Sequence, residues 1–343
     1  MKRLVVCCDG TWNGLSGEYP TNALKLSQIV LEVDALGVPQ QVYYQEGLGT
    51  RWYDRWVGGI FGWGIDKHIT EAYRFLCLNY NPGDEIYCFG FSRGAYTVRS
   101  LVGLIYCSGL LKPSNIQKIP EAYRIYRDRE IKPSNDIAVA FRQEFGDRVP
   151  ITVLGCWDTV GALGIPDLVP LLPIDRLANQ KYQFHDTELS AIIQRAFHAL
   201  AVDERRRSFI VTHMGKSDKN PGQVIREVWF PGTHGCVGGG TAANRGLSDG
   251  ALQWMMEQVT ESGLGLGFDP RRAKDGIALD PSIDFDTSPG IFGLVGMLDR
   301  PVEGGMETLH SSIKKRWCDR KDYRPNNLKA LATELDAACP PPP

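Results

Sequence analysis

Three times within the first 111 residues a short apolar run gives way to a helical pattern, and that alternation leaves few folds open. RLVVCCDG (3–10), QQVYYQEG (40–47) and DEIYCFGF (84–91) read as strands, the first of them buried on both faces. TNALKLSQIVLEVD (21–34) opens on a capping-type Thr21 and sets Leu26, Ile29, Val30 and Val33 on one helical face. IDKHITEAYRFLCLNY (65–80) stacks Ile69, Ala72, Tyr73 and Leu76, and RGAYTVRSLVGLIYCSGLL (93–111) is a third helix. Strand and helix in regular turn imply an α/β fold: a mainly parallel central sheet with helices on both faces.

Further along, helices are expected near 119–130 and 136–145, and VPITVLGCWDTVGALG (149–164) as another buried strand. LSAIIQRAFHALAVDERR (189–206) reads as helix, and QVIREVWFPGTHGCVGGG (223–240) as a strand running into a glycine-rich loop. SDGALQWMMEQVTESG (248–263) is a helix with Ser248 and Asp249 as caps. A further helix is expected in NNLKALATELDAAC, before the terminal prolines. No linker or internal repeat divides the chain. The expectation is one elaborated domain over 1–343, with a core at about 1–111 and 149–262. Insertions at about 112–148, 165–188 and 264–306 form a cap or cover.

The totals narrow the partners. With 38 Lys and Arg against 40 Asp and Glu there is no basic excess to suit a nucleic acid. The start, MKRLVVCC, is too short in apolar residues for a secretory leader, and no stretch reaches the roughly 20 residues of a membrane span. A cytoplasmic protein is expected, although export that reads no N-terminal peptide would leave no mark here. Nine cysteines without a C-x-x-C pair read as small buried hydrophobes in a reducing compartment.

Chemistry concentrates at the third strand-to-helix junction. In GFSRG (90–94) a serine stands between two glycines where the chain must turn sharply from strand to helix. Such a turn presents Ser92 above the carboxyl edge of the sheet, at a helix N-terminus. A serine hydroxyl attacks an acyl group only with a base beside it and an orienter behind the base. Asp158, closing the strand ITVLGCW, is the candidate acid, with Asp167, Asp203 and Asp249 as rivals. Among six histidines the candidate base is His234, with His310 and His213 still open, while His198 reads as a satisfied core histidine and His185 as a loop residue. Oxyanion stabilisation falls to the N–H of Arg93 and to Gly10 or Thr11 in CDGTWNG, with Asp9 bracing that turn. GGIFGWG (58–64) fits no nucleotide-binding pattern and HExxH is absent, so no cofactor and no metal are expected. Two other readings stay open: a metal-dependent hydrolase with Asp9 and Asp158 as ligands, and a catalytically silent binding protein on the same fold.

Six stretches in order carry a resemblance: CDGTWN (8–13), GFSRGAYTVRSL (90–101), WDTVGALG (157–164), FHALAVDERR (197–206), WFPGTHGCVGGG (229–240) and LSDGALQWM (247–255). Together they resemble the phospholipase-effector catalytic domain of type VI secretion, an α/β-hydrolase family. The resemblance implies an α/β-hydrolase fold with Ser-Asp-His esterase chemistry, and an ester or lipid substrate with peripheral membrane contact. Carried over, Ser92 matches the nucleophile of GFSRG and Asp158 the aspartate of WDTVG, while His234 falls on the histidine of FPGTHG. One departure stands out: the family loop reads His-x-Asp-Val-Gly-Gly-Gly, and here Cys236 holds the aspartate's place.

Overall fold

A computed structural model describes residues 1–10, 17–47, 60–161, 188–261, 263–288 and 296–340. Its chain order begins β1 (Arg3–Cys8), α1 (Asn22–Ile29), β2 (Gln40–Gln45), α2 (Ile60–Asn79), β3 (Glu85–Phe91) and α3 (Arg93–Ser108). Two short strands, β4 (Leu110–Leu111) and β5 (Gly146–Asp147), pair antiparallel around α4 (Ile119–Arg127) and α5 (Asp136–Phe145). Then follow β6 (Ile151–Trp157), β7 (Ile193–Ala201), β8 (Val224–Phe230), α6 (His234–Gly238) and α7 (Arg245–Glu261). The C-terminal part carries α8 (Ser311–Asp319) and α9 (Ala332–Ala337).

Six strands form one parallel sheet in the order β2-β1-β3-β6-β7-β8. The chain leaves β1 toward β2, then returns to lay β3 on β1's other side. The strand order therefore reverses between β1 and β3, and in open α/β sheets the crevice at such a switch point, beyond the strands' carboxyl ends, is where sites form. Alternation along β1 serves two cores. Leu4, Val6 and Cys8 pack with α2, α3, α4 and α5, while Val5 and Cys7 pack with α1 and α7. A third cluster joins Leu200, Val202 and Trp229 to Leu309, Ile313, Trp317, Leu328 and Leu335, so the C-terminal segment covers the β7–β8 end. Among the described residues no helix is long and apolar enough to cross a membrane.

Most expected elements are present, with four differences. The stretch 189–206 holds strand β7 (Ile193–Ala201) and no helix. Its Ala, Leu and Arg favour a helix in isolation, but Ala196 to Ala201 are buried between β6 and β8, and ladder pairing overrides that weak preference. Helix α1 stops at Ile29, so Val33 lies beyond it and is exposed. The glycine-rich loop after β8 contains the short helix α6, which begins at His234 itself. Asp249 is not a cap: it lies inside α7 with no exposed surface and pairs with Lys25 Nζ at 2.5 Å, tying α7 to α1. Nor are all the cysteines free. Cys318 and Cys339 form a disulfide across the C-terminal segment, and the other seven are buried thiols.

Candidate active site

The elbow at Ser92 follows from two close approaches. Ser92 takes φ 58°, ψ −121°, a conformation side chains rarely adopt, and its N–H donates to Trp157 O at 3.0 Å. A Cβ on Gly90 would lie 2.5 Å from Gly94 O and 2.6 Å from Ala95 N. A Cβ on Gly94 would lie 2.5 Å from the Cys8 carbonyl carbon and 2.7 Å from Asp9 O. Only glycine at both places lets α3 start hard against the end of β1, which turns the serine out above the sheet.

Three sequence-predicted residues meet there. Ser92 Oγ lies 2.7 Å from His234 Nε2, and His234 Nδ1 lies 2.5 Å from Asp158 Oδ2. The ring packs between Phe91 and Phe209, at centroid distances of 4.7 and 4.8 Å. Gly238, one turn into α6, leaves room for the Phe91 ring that a Cβ would overlap. Ser92 and His234 keep only 5% and 6% of their surface exposed, and Asp158 none. Asp158 also sits at positive φ, 44°, directly after β6, with its N–H on Ala199 O at 2.8 Å.

A fully buried carboxyl would ordinarily hold its proton. Burial pushes the Asp158 carboxyl up, but the Arg300 guanidinium and the His234 ring outweigh it and hold the group well below the usual carboxylate range. Arg300 reaches Oδ1 through Nη1 at 2.6 Å and Oδ2 through Nη2 at 3.0 Å, and Ala201 N–H donates to Oδ1 at 2.9 Å. Arg300 lies in the stretch read from the sequence as an insertion, and no local motif marks it; a lone arginine between Asp299 and Pro301 gives no sign of reaching β6.

His234 is braced from the segment after β7. Glu204, nearly fully buried, accepts the His234 backbone N–H at 3.1 Å and three bonds from Arg206, which keep it below the usual range despite its burial. Asp203 accepts Gly232 N–H at 2.6 Å and the Tyr323 hydroxyl at 2.9 Å, and burial pushes its carboxyl up to about 6. The DERR run is thus not a helix end. Its two acids fix the loop that carries the imidazole.

The remaining candidates lie elsewhere. His310 caps α8, accepts from Ser312 N–H and stacks on Phe230 at 4.3 Å, with burial pushing it down to about 4. His213 and His198 share Glu227, at 2.9 and 2.7 Å, and His198 Nε2 accepts Thr159 N–H, so His198 is the satisfied core histidine the sequence suggests. Cys236 is buried beside Thr233 and Gly232, its Sγ 3.4 Å from Thr233 Oγ1; burial pushes its thiol up. Asp9 braces its turn: Oδ1 takes the Gly10 N–H at 2.7 Å, and Oδ2 takes Thr21 and Tyr44 hydroxyls at 2.5 and 2.9 Å. The Gly10 N–H, a sequence candidate for oxyanion stabilisation, is engaged with Asp9. Burial pushes the Asp9 carboxyl up to about 6. Both carboxylates of the metal reading are engaged by protein donors, and among the described residues no group of three or more His, Cys, Asp or Glu is placed to hold a metal ion. Thr11, Asp167, His185, nearly all of the cover expected at about 165–188 and the first glycines of GGIFGWG lie outside the described residues.

Comparison with known proteins places the chain. Residues 2–258 match the model of the type VI secretion phospholipase effector Tle1-like catalytic domain. The chain belongs to this family. This Tle1-like chain is also 32% identical over 232 residues to the uncharacterized protein YEL023C of Saccharomyces cerevisiae, covering 61% of this chain and 32% of that one. An uncharacterized protein from Pseudomonas aeruginosa, of known structure, aligns with 99% of the Tle1-like chain and 56% of its own at 18% identity, TM-score 0.48. A Tle1 effector solved bound to the VgrG spike of the type 6 secretion system aligns over 71% and 52% at 19% identity, TM-score 0.36. The Tle1-like chain thus spans about a third of the yeast relative's length and about half of each of these solved chains.

Proposed function

We propose that this Tle1-like chain is a serine ester hydrolase acting through an acyl-enzyme. Ser92 attacks the ester carbonyl while His234 Nε2 takes its proton, and Asp158 holds the ring by Nδ1 and stabilises the imidazolium. His234 then returns the proton to the leaving alcohol. Water, activated by the same ring, attacks the acyl-serine, and the acid leaves with Ser92 restored. The N–H of Arg93, the first residue of α3, is the oxyanion donor this reading favours, because it directly follows the nucleophile and opens a helix. A lipid ester, and with it contact with a membrane surface, accords with the family's description as phospholipase effectors. The observation that carries the reading is the unbroken line from Ser92 Oγ through both His234 nitrogens to Asp158, at 2.7 and 2.5 Å.

A fluorophosphonate probe tests it. Wild-type protein is labelled and hydrolyses a panel of esters, including phospholipid vesicles, while Ser92→Ala does neither. A folded wild-type protein that takes no label and turns over no ester would favour the silent binding protein instead.

A further inference from the structure

The match to the family ends at residue 258, yet the aspartate of the site is held by a side chain 42 residues beyond it. Arg300 takes up Asp158 with both Nη atoms, one to each carboxylate oxygen. The same two atoms also donate to backbone carbonyls, Nη1 to Ala201 O at 2.9 Å and Nη2 to Phe209 O at 2.5 Å. A planar guanidinium held at four points fixes the plane of the carboxylate it grips. That plane decides whether Oδ2 points at His234 Nδ1.

The delivery of Arg300 is itself built. Leu298 N–H donates to Arg205 O at 2.7 Å, and Met297 bridges Arg206. Asn327, ahead of α9, donates to Arg300 O at 3.1 Å and to Val202 O at 2.8 Å. The C-terminal segment is thus fastened to residues 202–206, the stretch that also braces His234 through Asp203 and Glu204. Arg300 Nε, though buried, has no partner among the described residues.

We infer that Arg300 is a positioning residue of the site: it sets the Asp158 carboxylate in line with His234, and the chain beyond the family segment supplies it. Two effects oppose each other. The cation weakens the negative charge that the imidazolium would feel from Asp158. Against that, a fully buried carboxylate without a cation takes up a proton or turns toward another donor, and then Oδ2 no longer holds the ring. With Asp158 showing no exposed surface, the second effect outweighs the first.

The inference rests on Ser92, His234 and Asp158 acting as proposed, so its test needs one arm that does not depend on turnover. In proton NMR, the Nδ1 proton between His234 and Asp158 gives a low-field resonance, assigned by its loss in His234→Ala. Arg300→Ala and Arg300→Gln are expected to lose or shift that resonance. On a soluble short-chain ester they are expected to lower kcat by about 10- to 100-fold, with KM moved less than about threefold, as a misplaced catalytic group does. Arg300→Lys regains part of kcat, and added guanidinium ion regains part of it in Arg300→Ala. Either neutral variant with an unchanged resonance overturns the inference, as does either with wild-type kcat. Where Arg300→Ala fails to fold, Arg300→Gln decides. Full ester turnover by Ser92→Ala would instead sink the nucleophile reading, and the resonance would still show whether Arg300 sets the Asp158 carboxylate.

Discussion

Alanine at Gly94 removes the close approach that makes the elbow, and its cost can be worked out from the distances. The new Cβ meets the Cys8 carbonyl carbon at 2.5 Å and Asp9 O at 2.7 Å, where ordinary contact begins at 3.4 Å. Both obstacles are backbone in or just after β1, so no rotamer relieves them. The Cys8 carbonyl oxygen lies closer still, so helix α3 must back away from β1 by more than about 0.9 Å, and overpacking of this kind costs about 1–3 kcal/mol. The upper end is expected here. With an unfolding entropy of about 2 cal/mol/K per residue over 343 residues, about 3 kcal/mol lowers Tm by about 4 °C. The same shift moves Ser92 Oγ away from the ring it faces at 2.7 Å, and a misplacement of about 1 Å is expected to slow fluorophosphonate labelling about 100-fold. Gly222→Ala, whose Cβ meets only Asn220 Oδ1 at 3.6 Å, is the control that should change neither. A Gly94→Ala protein with the control's Tm and labelling rate would show that the glycine does not set the serine's position.

Three further outcomes can be measured. Asp158→Ala leaves the Arg300 guanidinium buried without its carboxylate and should cost about 3–5 kcal/mol in urea unfolding; a loss under about 1 kcal/mol would mean the pair is solvated in practice. Burial raises the Asp203 carboxyl from 3.8 to about 6, so the folded state binds that proton more tightly than the unfolded chain. Its contribution is full below pH about 4 and is lost as pH rises through about 6, so Asp203→Asn should gain up to about 3 kcal/mol on wild type between pH 4 and pH 8; a difference that stays constant with pH refutes this. Replacing both Cys318 and Cys339 by serine opens a cross-link of sequence separation 21 and should lower stability by about 3 kcal/mol, read as a Tm drop that reductant reproduces in wild type but not in the variant.

The first half of the fold was legible because it depends on local signals. Thr21 caps α1 through its own side chain, and α3 begins where GFSRG says it must. The meeting of Ser92, Asp158 and His234 was legible for a related reason, since Ser92 and Asp158 stand directly after a strand and His234 in the loop that follows one, where a sheet gathers its loops. What could not be read is what depends on contacts between distant segments. Strand β7 carries helix-forming residues, and only its neighbours on both sides make it a strand. Asp249 looks like a cap until Lys25 is found against it, 224 positions away. Asp203 and Glu204 look like surface charge until the loop they hold has been folded over them. Arg300 and the Cys318–Cys339 bond have no motif at all, because each is defined by a partner whose proximity only the tertiary fold creates.

That bond has a consequence for how the chain survives cutting. Between Cys318 and Cys339 runs a stretch with many exposed residues, from Asp319 to Ala338, the kind of segment a protease reaches first. A nick there breaks the peptide but releases nothing. The severed tail stays covalently tethered through sulfur, with Leu335 still seated against its neighbours. Such a molecule would run as one band on a denaturing gel and shed the severed piece only when thiol is added.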